Sequence, residues 1–248
     1  MNKIIFFIIY ILLIALAEIV TSFVNPIYGF LFHVTILISL FVLSALKYMD
    51  NPLSNLFLSL SLAPLIRIIS LCLPLAYFPY YSWYFLTGSL VFLATLALMR
   101  ILNLKFSDIG VKFNKPLVQL VIGFSGVPLG IIEFHILKPE PLISELNLLN
   151  LIFLALGFIF FTGFVEELVF RGIIQRSVIT CLNWKIGILI VSLIFAILHI
   201  GWLSLFDFIF VFLVGLIFGY IVFKTGSIIG VSLSHGLTNV LLFLILPS

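Results

Sequence analysis

Long apolar runs follow one another along almost the whole chain, and they constrain the fold more than any other feature of the sequence. A helix needs about 20 mostly apolar residues to cross the hydrocarbon core of a bilayer. Cutting the chain wherever a charge, a proline or a polar cluster interrupts such a run gives nine segments, at 4–24, 27–46, 56–78, 84–102, 117–137, 149–174, 186–200, 203–224 and 227–246. Because the seventh is short, the pattern predicts an all-α, polytopic transmembrane bundle of eight to nine segments.

The composition favours a single membrane domain over residues 1–248. The chain is 64% hydrophobic and 8% charged, whereas a soluble domain carries roughly 25% charged residues. Its net charge of +3 is not gathered into a run of Lys and Arg, so no nucleic-acid partner is expected. Cys72 and Cys181 lack the spacing of a zinc or redox pair.

The basic residues between the segments predict the orientation of the chain. With the N-terminus in the cytoplasm, Lys138 alone falls outside. The inner set is Lys3, Lys47, Arg100, Lys105, Lys112, Lys115, Arg176, Lys185 and Lys224. We therefore expect an integral protein of a prokaryotic plasma membrane, with the lipid bilayer as its surroundings. Lys3, the apolar run and Ala15-Leu16-Ala17 together resemble a cleavable signal peptide. An uncleaved first helix is favoured, because the first span of a polytopic protein can target it to the membrane without cleavage.

Charged side chains inside apolar segments are costly, at least ~2.5 kcal/mol each, and the densest set lies in the sixth segment. Glu167 and Arg171 are four residues apart, acid first, which is the favourable order for an ion pair on a helix. Glu166 points about 100° away from Glu167, so a drier setting would suit it to act as a general base. Taken alone, these residues fit equally well as interfacial groups at a helix end.

Two later segments carry polar faces of the same kind. Phe195 and His199 are four residues apart in the seventh segment, and His235 and Asn239 have the same spacing in the ninth. Each pair therefore shares one helix face. A lone histidine would usually be a satisfied core residue, but three polar faces on otherwise apolar helices are more easily explained by one shared cavity.

Other polar residues within the segments are interpreted as structural. They are Glu18, His33, Arg67, Glu133, His135 and Asp207. We expect them near segment ends or paired with one another. Arg67 lies in the middle of its segment and needs an acidic partner that the sequence does not identify.

Three ordered motifs result, EExxxR at Glu166, Glu167 and Arg171, FxxxH at Phe195 and His199, and HxxxN at His235 and Asn239. In this order they resemble the CPBP intramembrane proteases, also called the CAAX-processing or Abi family. The resemblance lies within 149–246, which would carry the catalytic helices. It implies an intramembrane endopeptidase acting on membrane-associated peptides or proteins, prenylated CAAX-type in eukaryotes or bacteriocin-like in bacteria.

The resemblance also implies roles for these residues. Glu166 would activate a water with the help of His199, and His235 and Asn239 would stabilise the oxyanion. Glu167 and Arg171 would hold the helix in place and tune the charge of Glu166. The Phe195 ring would form part of the wall of the site. Simple alternation of spans, however, puts Glu166 and His235 nearer the cytoplasm and His199 near the outer end of its segment. A displaced boundary or an inward-dipping loop at 201–204 would remove this conflict.

A metal ion and two other functions are also considered. Glu166, His199 and His235 could supply a two-histidine, one-carboxylate zinc site, as in a metalloprotease, but the HExxH pattern of common zinc proteases is absent. A metal-free mechanism is preferred, and no other cofactor is expected. A proton-coupled transporter would also bury such charges, although no inverted repeat is visible, and a non-catalytic membrane scaffold would leave them dispensable.

Overall fold

The computed structural model describes residues 3–47, 51–73, 77–143 and 147–247, which contain no strand. Their main helices are α1 (Ile4–Val24), α2 (Pro26–Leu46), α3 (Pro52–Cys72), α4 (Tyr80–Ile101), α5 (Pro116–Leu137), α6 (Leu148–Cys181), α7 (Trp184–Trp202), α8 (Leu205–Thr225) and α9 (Ile229–Ile245). In this part of the chain, α1 to α8 are long and apolar enough to cross a membrane, and α9 is a shorter apolar helix. The predicted all-α polytopic bundle is confirmed.

Helix α6 is the element whose predicted end was wrong. It continues to Cys181 and is 34 residues long, whereas the polar cluster after residue 174 predicted its end there. Those polar side chains find tertiary partners instead. Gln175 Nε2 donates to Gly219 O at 3.0 Å, Arg176 Nη1 donates to Asp108 O at 3.0 Å, and the Ser177 and Ser59 hydroxyls lie 2.7 Å apart. Because each of these side chains has a partner on another part of the fold, the polar cluster does not force the helix to end.

The backbone of α6 widens around the acidic motif. The helix is α-helical at Leu148–Gly157, Val165–Glu167 and Arg176–Cys181, and π-helical at Phe158–Phe164 and Leu168–Gln175. Such π-helical turns are rare in proteins, and those that occur are often found at functional sites. The two glutamates therefore lie in a three-residue stretch between two widened turns.

The length of α6 resolves the conflict over the depth of His199. Helices α6 and α7 are joined by residues 182–183, and Glu166 and His199 are equally far along the chain from this connection. Since the two antiparallel helices start from the same turn, residues equally far from that turn lie at about the same depth in the bundle. The seventh helix begins at Trp184, before Lys185, as a displaced boundary required, and the sixth segment was cut too short.

A turn between α4 and α5, anchored by the buried Ile109, sets the level of α9. The 3₁₀-helix Phe106–Ile109 lies between α4 and α5, and Gly110 ends it with φ +85°, which glycine adopts without strain. Gly110 O accepts from Ile228 N at 2.8 Å, and a Cβ on Gly172 would lie 2.9 Å from Ile109 O. Since α9 and α6 both touch this turn, His235 lies at about the level of Glu166.

Candidate active site

A cavity of about 700 Å³ lies inside the bundle, lined by side chains of α3 to α9 and of residues 139–142. On its wall lie five of the predicted site residues, Glu166, Phe195, His199, His235 and Asn239. They come from α6, α7 and α9. The three polar faces recognised in the sequence are thus brought together at one cavity.

The two adjacent glutamates of α6 have different surroundings. The Glu166 side chain is 32% exposed and lines the cavity, whereas that of Glu167 is 0% exposed. Glu166 Oε2 lies 3.9 Å from His235 Nε2, which is too far for a direct hydrogen bond. Both atoms therefore remain available to a molecule in the cavity.

Of the two glutamates, it is Glu167 that contacts His235 directly. Its Oε1 lies 3.0 Å from His235 Nδ1 and accepts a hydrogen bond from Arg171 Nη1 at 2.8 Å. Arg171 also donates to Gly215 O at 3.4 Å, and its guanidinium lies 4.6 Å from the centre of the Phe195 ring. Glu167 and Arg171 thus lie behind the cavity wall, where they fix the orientation of the His235 ring.

His199 lies just beyond the α-helical part of α7, which ends at Ile197. Its Nδ1 is 2.8 Å from Phe195 O, and the rings of Phe195 and His199 are 4.7 Å apart between centroids. The Phe195 ring also meets that of His235 edge-on at 5.8 Å. Phe195 therefore separates the two histidines and sets the spacing between them.

Asn239 is oriented by a residue that the motifs do not include. Its Nδ2 donates to Thr162 Oγ1 at 2.8 Å, while Thr162 donates to Phe158 O at 2.6 Å. Thr162 also lines the cavity. The sequence could have identified Thr162 by its spacing, because it lies four residues before Glu166 and therefore on the same helix face.

Residues 148–241 match a family model described as Type II CAAX prenyl endopeptidase Rce1-like. The chain is therefore similar to that family over these residues, which make up less than half of its length. The match covers all three motifs and confirms the resemblance that they predicted. It begins with α6, so α1 to α5 lie outside it. No curated protein and no solved structure matches the chain.

Two of the polar residues interpreted as structural also reach the cavity. Arg67 and Glu133 are on its wall. Glu133 and His135 lie near the end of α5, as expected, and the described contacts do not join them; His135 Nδ1 lies 2.7 Å from Ile131 O. Arg67 has the acidic partner that it required, because its Nε donates to Glu18 Oε1 at 2.8 Å.

The arrangement of possible ligand side chains bears on the question of a metal ion. Among the described residues, no three His, Cys, Asp or Glu side chains are grouped so as to hold a metal ion. The candidate set of Glu166, His199 and His235 is therefore not such a group in this structure. No catalytic step is assigned to a metal ion.

Proposed function

We propose that this protein is an intramembrane endopeptidase in which Glu166 activates a water that attacks a peptide bond of a membrane-associated substrate. The observation that carries the proposal is the common cavity of Glu166, His199, His235 and Asn239 inside an apolar bundle. The similarity of residues 148–241 to a CAAX-type endopeptidase family supports it. Prenylated CAAX-type proteins or bacteriocin-like peptides are substrates that fit this reaction. We place the protein in a prokaryotic plasma membrane, with its N-terminus in the cytoplasm.

Glu166 and His199 act on the water. The Glu166 carboxylate takes one proton as the water oxygen bonds to the substrate carbonyl carbon. His199 uses Nδ1–H to donate to Phe195 O, so its Nε2 is the acceptor that orients the water. The proton held by Glu166 then passes to the leaving nitrogen as the oxyanion re-forms the carbonyl and the C–N bond breaks, which gives a carboxyl group and a free amine without a change in the total number of protons.

His235 and Asn239 stabilise the oxyanion. His235 donates through Nδ1 to Glu167, and donation through Nε2 as well makes it an imidazolium. Asn239 uses one amide hydrogen for Thr162 and keeps the second for the oxyanion. Such fixed donors are effective in a low-dielectric cavity.

The Glu167–Arg171 ion pair behind the cavity wall lowers the free-energy cost of burying these charges in an apolar bundle. Glu166 and Glu167 carry two negative charges, and Arg171 with an imidazolium at His235 carries two positive ones. The cluster is therefore neutral before the water is deprotonated. A buried set without this balance would carry a desolvation cost of several kcal/mol per ion.

The test is a cleavage assay in lipid vesicles with a library of membrane-anchored peptides, read by mass spectrometry. We expect wild-type protein to cut at least one peptide, and Glu166→Gln to lose about 10²- to 10⁴-fold in rate, because an amide keeps the shape but cannot take the proton. The matched control is Glu140→Gln, a carboxylate on the same cavity wall outside the motifs. Wild-type turnover by Glu166→Gln would exclude Glu166, and a folded protein that cuts no peptide would favour the transporter.

A further inference from the structure

A second buried ionic cluster lies outside the matched family region, where α1, α2 and α3 meet. Glu18 and His33 are fully buried, and the Arg67 side chain is 16% exposed. Glu18 Oε1 accepts a hydrogen bond from Arg67 Nε at 2.8 Å and lies 3.2 Å from His33 Nε2. None of the three motifs includes these residues, and the mechanism above does not use them.

Arg67 connects this cluster to the end of α7. Its Nη2 donates to Leu198 O at 2.6 Å. In a continuing helix that carbonyl would accept from Trp202 N, but Trp202 N bonds to His199 O instead, at 3.0 Å. Leu198 O is thus one of the carbonyls that a helix end leaves without a partner, and Arg67 supplies the partner from another helix.

The capped carbonyl immediately precedes His199. His199 lies in the turn between the α-helical part of α7 and the 3₁₀-helix Ile200–Trp202, and the end of α1 packs against this 3₁₀-helix. We propose that the Glu18–Arg67 pair positions His199 for catalysis by holding the Leu198 carbonyl. This inference rests on the proposed function, since it assigns a role within that reaction.

The geometry requires arginine at this position. The guanidinium reaches a carboxylate through Nε and a carbonyl through Nη2 at the same time, with a fixed angle between the two bonds. A lysine ammonium is a single point of charge on a flexible stem and lacks this fork. Glu18 balances the charge and fixes the guanidinium, so that Arg67 presents Nη2 to Leu198 in one orientation.

The decisive variant is Arg67→Lys, which keeps the positive charge beside Glu18 but loses the two-way connection. A catalytic group displaced by about 1 Å can cost 10²-fold in rate, so we expect kcat to fall about 10- to 100-fold. KM should change by less than about twofold, because His199 acts in the transition state rather than in ground-state binding. The matched control is Ser44→Ala, which removes a contact between α2 and α3 at Ser54 away from the cavity.

A second measurement does not depend on activity. Amide hydrogen exchange over 198–203 should be faster in Arg67→Lys and unchanged in Ser44→Ala, because the turn loses its cap and opens more often. Unchanged exchange in Arg67→Lys overturns the proposal whatever its kcat, and so does faster exchange with wild-type kcat. If Arg67→Lys does not fold, Glu18→Gln carries both measurements.

The two proposals fail in distinguishable ways. If wild-type protein cleaves no peptide, the proposed function fails, while the exchange data still report whether Arg67 holds the turn. If wild-type protein cleaves and Glu166→Gln does not, the protease stands. An Arg67→Lys variant with wild-type kcat then removes only the positioning role.

Discussion

Two buried clusters of the same composition lie in the two halves of the chain, each with a glutamate whose Oε1 contacts an arginine and a histidine. They are Glu18, Arg67 and His33 in the first half and Glu167, Arg171 and His235 in the second. In each cluster the arginine also donates to a backbone carbonyl of a further helix. Within the described residues, the other oxygen of each glutamate is buried without a hydrogen bond.

The clusters differ in which member reaches the cavity. In the second half the histidine, His235, lines the cavity and the arginine is behind the wall. In the first half the arginine, Arg67, lines the cavity, and His33 is fully buried. The same three side chains can therefore present either an imidazole for chemistry or a guanidinium that supports a neighbouring helix.

The largest expected effect distinguishes the two arginines by stability. Arg171→Ala should cost about 3–5 kcal/mol of unfolding free energy, because it leaves Glu167 buried beside a site that depends on charge balance. Arg67→Ala should cost less, since 16% of the Arg67 side chain is exposed, against 1% for Arg171. Unfolding in mixed micelles compares them directly. An equal or larger loss for Arg67→Ala would contradict this order.

The two glutamates should differ in their effect on turnover. Glu167→Gln should lower kcat about 100-fold, because the charged partner of a catalytic imidazole is lost. Glu18→Gln should lower it about tenfold, because its amide oxygen can still accept from Arg67 and partly hold the fork. Single-turnover rates in vesicles provide the measurement. Equal losses would mean that the two clusters serve the chemistry in the same way.

A neutral contact in the second half gives a smaller effect. Thr162→Val removes the acceptor for Asn239 Nδ2 with little change in shape, so we expect about 1 kcal/mol less stability and a clearly lower kcat. Thr95→Val is the matched control, because Thr95 is buried and its hydroxyl donates only within its own helix, to Val91 O. If both variants lose kcat equally, Thr162 has no specific role in orienting Asn239.

The smallest expected effect is that of chelation. We expect activity to survive exhaustive treatment with a strong chelator, because His235 has its partner in Glu167 and Asn239 provides a second oxyanion donor. Bound metal should be measured in the active protein at the same time. Zinc at one ion per chain, whose removal stops cleavage and whose return restores it, would make His199 and His235 ligands.

The sequence predicted the second cluster much better than the first, because its decisive spacing is local. Glu167 and Arg171 are an i, i+4 pair on one helix, so periodicity alone brought them together. Glu18 and Arg67 belong to helices whose relative rotation is set by packing, and no local pattern encodes it. Arg67 was recognised as needing an acid, but the identity of that acid depended on how α1 and α3 pack.

The sequence by itself determined the membrane setting, the helical class and the three polar faces, because chain hydropathy and helical periodicity are local properties. The tertiary structure decided that α6 continues to Cys181, since its polar residues find partners at Asp108 and Gly219. It also decided that Glu167 contacts His235 and that Arg67 caps Leu198. Such contacts join residues distant in the chain, and in an apolar bundle each buried polar group must be matched by whichever helix packs beside it.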